Sequence, residues 1–211
     1  METLLAVFER LAHLDTFLLA WADAYGPWAY VILFVIIFSE TGLVVAPFLP
    51  GDSLLFVAGA VAGLGALDVN VLVVVLIVAA FLGNFTNFRI GVYLSAHVLA
   101  GGKSRYIKHE YLERTHAFYE RHGGKTVVIS RFLPIIRTYA PFVAGVGTMS
   151  NRKFSFYNLI GAVAWVCTFV YGGYIFGNVP AIKQNLTYLV IGIVLVSVLP
   201  ALIGFVRARR A

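Results

Sequence analysis

Four charged side chains lie near two interruptions of the apolar segments of the sequence, and their types suit the binding of an anion together with a proton. Glu40 and Asp52 lie in the first half of the chain, and Arg131 and Arg137 lie in the second half. A charge in hydrocarbon costs several kcal/mol unless it is paired or hydrated. Arginine offers a planar fork of N–H donors that fits phosphate oxygens, and carboxylates beside it could bind and release protons.

Two interpretations of these charges stay open on the sequence alone. In the first, two acids and two arginines form a structural network that only holds helices together. In the second, the same residues bind a phosphorylated headgroup and release it when the protonation of the acids changes. The second interpretation makes Arg131 and Arg137 the phosphate ligands and Glu40 and Asp52 the proton-coupling acids.

The four charges lie in or before two stretches of sequence that resemble each other: Asp52 and Arg137 lie inside them, and Glu40 and Arg131 precede them. Residues 48–59 and 132–145 both open with Phe-Leu-Pro and close with Phe-Val-Ala-Gly. Residues that disfavour a continuous helix lie in or beside both stretches, namely Pro47, Pro50, Gly51, Pro134 and Pro141. We predict two broken membrane helices, one acidic and one basic, that meet in one site. Half-helix N-termini at the breaks would add partial positive charge for an anion.

The composition is that of a polytopic membrane protein. The chain has 211 residues, of which 60% are hydrophobic and 12% charged, with a mean hydropathy of +0.87. Soluble domains carry roughly 25% charged residues. Cys167 is the only cysteine, which excludes a disulfide within the chain.

The hydropathy pattern predicts an all-α polytopic membrane protein, with one domain over residues 1–211. We expect an inverted repeat with two opposed re-entrant hairpins, about three full transmembrane spans and amphipathic interfacial helices. The segments are an amphipathic N-terminal helix at 1–25, hairpin 1 at 28–67, a span at 71–96, a cytoplasmic amphipathic helix at 103–125, hairpin 2 at 126–149, and spans at 154–176 and 186–206. For residues 1–25, a tilted span is the alternative to a helix in the interface.

The charge distribution predicts the orientation in the membrane. Residues 1–88 contain one basic residue and seven of the ten acids. The basic residues cluster in 103–125, at Arg152-Lys153 and in the C-terminal tail. If hairpin 2 enters and leaves on one face, all three clusters lie on that face, as the positive-inside rule requires of the cytoplasm. The two hairpins then open on opposite faces, and the C-terminus is cytoplasmic.

Polar residues in the second half of the 71–96 span have two possible roles. Asn84 and Asn87 are one helical turn apart and therefore share a face. They either make hydrogen bonds between helices or line the polar cavity. Arg89 is expected near the bundle interior or extended towards the cytoplasmic face.

The sequence does not favour an enzyme. A lipid phosphatase needs a nucleophile beside its phosphate-binding groups, but neither broken element contains histidine and Cys167 is remote in sequence. His116 and Glu120 have helical spacing, but a solvated helix face explains them, so we expect no metal and no cofactor. The expected partners are membrane lipids (undecaprenyl phosphate or a phospholipid) and protons. We expect no nucleic acid, and a homo-oligomer stays open.

The chain resembles the DedA family of bacterial inner-membrane proteins, also called the VTT or SNARE-associated domain family. The resemblance covers nearly the whole chain. It is carried by the runs 38–42, 47–55, 56–59, 82–84, 119–125, 130–145 and 157–162, and by Phe154, Trp165, Gly173-Tyr174 and Gly177. The chain departs from the family pattern at Asn84, where Asp is frequent, and at Val92, where Arg is frequent. An acidic role at position 84 is therefore not expected here.

The resemblance implies a lipid transporter. Family members are implicated in recycling undecaprenyl phosphate and in proton-dependent transport, and eukaryotic relatives scramble phospholipids. The family's functional acids match Glu40 and Asp52, and its functional arginines match Arg131 and Arg137. We therefore expect a multi-pass inner-membrane protein that moves undecaprenyl phosphate with proton coupling. The alternatives are a proton-coupled transporter of small ions or cations, and a non-transporting scaffold for envelope homeostasis.

Overall fold

The computed structural model describes residues 26–43, 51–99, 123–147 and 149–179. Within these ranges the protein is entirely helical, as predicted. The helices are α1 (Pro27–Gly42), α2 (Gly51–Gly63), α3 (Val69–Leu99), α4 (Lys125–Ser130), α5 (Pro134–Val146) and α6 (Asn151–Gly177). The predicted helix at 1–25, almost all of the one at 103–125 and the span at 186–206 lie outside the described residues.

Two of the six helices are long and apolar enough to cross a membrane. They are α3, over Val69–Ala96, and α6, over Asn151–Gly177. At 1.5 Å per residue, each is about 40 Å long, which exceeds the roughly 30 Å of a hydrocarbon core. The two helices include the predicted spans at 71–96 and 154–176. The part of the chain that the structure describes is all helical and contains two such helices, which fits a membrane protein.

A tight turn joins α2 to α3. Gly65 has a φ of 91°, which L-residues with a side chain rarely adopt. Asp68 then caps the start of α3, because its Oδ1 accepts hydrogen bonds from the backbone N–H groups of Asn70 (2.8 Å) and Val71 (3.0 Å). The N–H of Asp68 itself donates to the hydroxyl of Tyr30 on α1, at 2.8 Å.

The described residues divide into two compact units. The first comprises residues 26–32, 51–74 and 166–179, and the second comprises 33–43, 75–99, 123–147 and 149–165. In the first unit α2 packs against the end of α6 at glycines. A Cβ on Gly177 would lie 2.6 Å from the carbonyl oxygen of Ala60, and one on Gly173 would clash with Phe56. These two glycines therefore permit close packing of α2 against α6.

The second unit has an aromatic core. Phe88 on α3 and Phe154 on α6 stack with ring centroids 4.1 Å apart. Both are fully buried, together with Val127 and Ala144. In the same unit α3 crosses α5 at Gly91 and Gly145, where backbones approach too closely for a side chain. This core holds α3, α4, α5 and the first half of α6 in fixed register. Two of the buried charges belong to this part of the fold, because Arg131 directly follows α4 and Arg137 lies on α5.

Candidate functional site

A buried ion pair joins α1 to α5. The Nη2 of Arg137 donates to Oε1 of Glu40 at 2.6 Å, and both side chains are buried. The two residues are 97 positions apart in the sequence. Two of the four charges expected from the sequence are therefore in direct contact. A charge pair removed from water in this way is costly to break from one side, because the remaining charge stays buried.

Arg131 lies immediately after α4 and is held by neutral groups. Its Nη2 donates to Oδ1 of Asn158 at 2.6 Å and to the backbone carbonyl of Ala80 at 3.2 Å. Only 1% of Arg131 is exposed. Its Nε and Nη1 have no hydrogen-bond partner among the described residues. A fully buried guanidinium with unused N–H groups is costly, and such a group calls for an explanation.

Trp165 on α6 lies close to both arginines. The guanidinium carbon of Arg137 is 5.0 Å from the centre of its indole ring, and that of Arg131 is 5.9 Å away. The ring is fully buried. An indole face attracts cations, and the attraction strengthens where water is excluded. Trp165 therefore offsets part of the repulsion between two neighbouring positive charges.

Asn87 joins the backbones beside the ion pair. Its Nδ2 donates to the carbonyls of Thr41 (3.3 Å) and Thr138 (2.9 Å), which directly follow Glu40 and Arg137. The predicted role in hydrogen bonding between helices is thus confirmed for Asn87. Asn84 is also buried, and the Oδ1 atoms of both asparagines lack a partner in the part of the chain that the structure describes. That they line a polar cavity stays a prediction.

The other predicted site residues take several positions. Asp52 lies half-buried in the first turn of α2, in the first unit, where a carboxylate favours the helix N-terminus. Gly51 begins α2, Pro134 begins α5 and Pro141 lies inside α5. Arg89 is exposed, which excludes the predicted position in the bundle interior. Pro47 and Pro50 lie outside the described residues. No cluster of metal-ligating side chains occurs in the described ranges.

The backbone break in the second stretch is short. Residues 131–133 separate α4 from α5, so Arg131 lies at the break and Arg137 lies one turn into the following helix. The helical position of Arg137 directs its side chain to α1. Prolines begin a helix readily, because the first N–H groups have no partner within the helix, which explains why α5 starts at Pro134.

Sequence reasoning did not identify Asn158 and Trp165 as site residues. Both are fully buried and lie on α6 with Gly161 between them. A signal was present, because an amide in a strongly apolar span is expensive unless it is hydrogen-bonded. The partner of that amide is 27 residues away, so the sequence could indicate a buried polar contact but not its identity.

The buried charges in the second unit do not cancel, because positive groups outnumber negative ones. Glu40, Arg131 and Arg137 are all buried there, and one carboxylate with two guanidinium groups gives a sum of +1. Burial strengthens electrostatic interactions by lowering the local dielectric constant. The described part of this site is therefore suited to an anion.

Comparisons with known proteins agree with this picture of a helical membrane protein. The VTT domain family matches residues 49–175. Protein DedA of Escherichia coli (strain K12) is 48% identical over 213 residues, covering 100% of this chain and 97% of that protein. An uncharacterised membrane protein of Mycobacterium leprae is 40% identical over 187 residues, covering 87% of this chain and 84% of the relative.

A third relative is named for its location in the inner membrane. Inner membrane protein YqjA of Escherichia coli (strain K12) is 33% identical over 180 residues, covering 85% of this chain and 81% of that protein. No solved structure matches the chain. Relatives named as inner membrane proteins, together with the long apolar helices, identify an inner membrane protein.

Proposed function

The chain belongs to the DedA family of VTT-domain proteins, and from that premise we propose that it moves a phosphorylated lipid across the inner membrane. Undecaprenyl phosphate is the expected substrate, and the transport is coupled to protons. The observation that carries the proposal is Arg131, which is buried and has unused donors at Nε and Nη1. Phosphate oxygens are strong acceptors that suit a guanidinium.

The Glu40–Arg137 pair supports the proton coupling. While Glu40 is ionised, it holds Arg137 at 2.6 Å. A proton on Glu40 would remove the attraction and let Arg137 turn to a phosphate oxygen. Binding of the proton and binding of the anion then favour each other, and thermodynamic linkage makes this effect reciprocal. In the proposal, proton and phosphate therefore enter the site together, and Asp52 serves as a second acid of the pathway.

The lengths of the shorter helices support two re-entrant hairpins. The helices α1, α2 and α5 have 16, 13 and 13 residues. At 1.5 Å per residue they reach about 20–24 Å, less than the roughly 30 Å of a hydrocarbon core. In the proposal α1 with α2 and α4 with α5 form two hairpins that open on opposite faces. With α3, α6 and the apolar run 186–206 as spans, the C-terminus is cytoplasmic.

Reconstitution into liposomes tests the function. The chain is inserted with undecaprenyl phosphate, and exposure of the lipid phosphate to an added phosphatase is followed with and without a pH gradient. Arg131→Lys and Arg137→Lys keep the charge but lose the fork, so we expect flipping to fall at least about tenfold in each. Arg152→Lys, at an exposed position on α6, is the matched control and keeps its activity. The proposal would be rejected if liposomes with the protein flip the lipid no faster than protein-free liposomes, both with and without a pH gradient.

A cation transporter is the second candidate. The observation that favours it is the pair of buried Oδ1 atoms on Asn84 and Asn87, which lack partners in the described ranges. Amide oxygens near a carboxylate are suitable ligands for a hard cation. In the same liposomes, uptake of labelled sodium driven by a pH gradient, without lipid flipping, would favour this function over the first.

A further inference from the structure

One face of α6 forms a cradle for Arg131. Asn158, Gly161 and Trp165 are separated by three and four residues, a spacing that places all three on one side of a helix. We propose that these residues, the Asn158 cradle, hold Arg131 as a preformed receptor for a tetrahedral oxyanion of the phosphate monoester class. The inference rests on the proposed function, because it concerns the same site, and it assigns the positioning role to residues of α6.

Asn158 fixes the end of the arginine side chain. Its Oδ1 accepts from Nη2 of Arg131 at 2.6 Å, while its own Nδ2 donates to the carbonyl of Phe81 at 3.0 Å. The neighbouring carbonyl of Ala80 takes a second bond from the same Nη2, at 3.2 Å. Both hydrogens of Nη2 are thus used, and the amide that receives one of them is itself anchored to α3. The guanidinium cannot rotate without breaking these bonds.

Gly161 gives space to the arginine stem. A Cβ at this position would lie 2.9 Å from Cδ and 3.1 Å from Nε of Arg131. Real Cβ atoms essentially never lie within 3.0 Å of another heavy atom, so a side chain at position 161 would force Arg131 or the neighbouring backbone to shift. One turn further along α6, the indole of Trp165 lies 5.9 Å from the guanidinium carbon. The three cradle residues therefore contact three parts of the Arg131 side chain: Asn158 the end, Gly161 the stem and Trp165 the guanidinium carbon.

The cradle holds the arginine with groups that carry no net charge. An amide oxygen, a backbone carbonyl and an indole leave the positive charge of Arg131 in place, and no carboxylate of the described residues contacts it. The N–H groups on Nε and Nη1 remain for a ligand. Preformed donors in a buried site bind an anion with little reorganisation. An aspartate at 158 would instead neutralise the charge, so the amide determines that an anion is accepted.

Trp165 can report on binding directly. Removal of the other two tryptophans by Trp21→Phe and Trp28→Phe leaves Trp165 as the only indole. Purified protein in detergent is titrated with inorganic phosphate, with farnesyl phosphate and with farnesol, and Trp165 fluorescence is recorded. We expect a saturable change with both phosphates and none with the alcohol. A response to farnesyl phosphate alone identifies a lipid headgroup as the ligand, and a response to both identifies the shared phosphate chemistry.

Asn158→Asp should then weaken phosphate binding by about tenfold or more, because the new carboxylate neutralises the positive charge of Arg131 that attracts the phosphate. Asn151→Asp, on an exposed turn of the same helix, should leave binding unchanged. Asn158→Ser, which is smaller and uncharged, should weaken binding less than Asn158→Asp. If Asn158→Asp fails to fold, the comparison of Asn158→Ser with wild type decides, and unchanged binding in Asn158→Ser overturns the proposal.

A positioning role is distinguished from a structural one by a double substitution. In an Arg131→Gln background the arginine is absent, so Asn158→Asp should have no further effect on phosphate affinity. A further loss as large as in the wild type would overturn the proposal. The liposome assay separates the two inferences: Asn158-dependent phosphate binding without lipid flipping rejects the proposed transport and keeps the receptor. Flipping that is insensitive to Asn158→Asp keeps the transport and rejects the receptor.

Discussion

The ion pair between Glu40 and Arg137 leads to a prediction about single residues. Removing one partner of a buried pair leaves an uncompensated charge and costs about 3–5 kcal/mol. We expect Glu40→Gln and Arg137→Gln each to lower the free energy of unfolding by about that amount. The double variant should lose clearly less than the sum, because it leaves neither member of the pair without its partner.

Denaturation in detergent, followed by circular dichroism, measures these differences. Arg152→Gln removes an exposed arginine and should change the free energy of unfolding by less than about 0.5 kcal/mol. Strictly additive losses in the double variant would show that the two side chains do not interact in the folded protein.

The individual charged residues of the site could be predicted from the sequence, but their contacts could not. Glu40, Arg131 and Arg137 could be selected because charges are rare and expensive in apolar segments. The contacts between them could not be predicted. Two acids and two arginines in the sequence suggest two ion pairs, whereas Arg131 is held by Asn158 and a backbone carbonyl. That contact depends on the register between α4 and α6, which hydropathy does not encode.

At the scale of elements, the crossing of α3 and α5 depends on glycine. A Cβ on Gly145 would lie 2.9 Å from the backbone nitrogen of Val92, and one on Gly91 would lie 3.1 Å from the carbonyl carbon of Phe142. These obstacles are backbone atoms, which cannot move without separating the helices. We expect Gly91→Ala and Gly145→Ala each to destabilise the fold by about 1–3 kcal/mol.

Gly172→Ala on α6 is the matched control for this crossing. Its Cβ would lie 3.7 Å from the ring of Phe56, an ordinary contact distance. Thermal unfolding in detergent should therefore leave Gly172→Ala close to wild type while both crossing variants melt earlier. Equal melting of all three variants would mean that α3 and α5 do not pack this closely.

The elements themselves were predicted better than their contacts. The apolar runs predicted spans at 71–96 and 154–176. The helices that contain these spans are α3 (Val69–Leu99) and α6 (Asn151–Gly177), so each predicted end lies within three residues of the observed end. Helix length follows from local hydropathy and from punctuation by glycine, proline and aspartate. Close crossings at glycine follow from the pairing of distant segments, which one sequence cannot reveal.

For the whole molecule, the orientation of α6 decides the proposed arrangement in the membrane. Basic residues favour the cytoplasmic face, so Arg152 and Lys153 at its start should be cytoplasmic and residues after Gly177 should face the periplasm. Lys153 and Val179 are both exposed, one near each end of the helix. Lys153→Cys and Val179→Cys in a Cys167→Ser background therefore give one reporter for each face.

A membrane-impermeant maleimide added to cells with a permeable outer membrane should label Val179→Cys, and it should label Lys153→Cys only after the inner membrane is opened. The reverse pattern would place the basic cluster outside and reject the proposed topology together with the cytoplasmic C-terminus.

The orientation also bears on transport, because α6 carries Asn158 and Trp165. With α6 fixed in the membrane, the depth of these two residues below each face follows from the helical rise of 1.5 Å per residue. Asn158 is seven residues from the start of α6, so the arginine receptor would lie about 10 Å inside the cytoplasmic end of the helix.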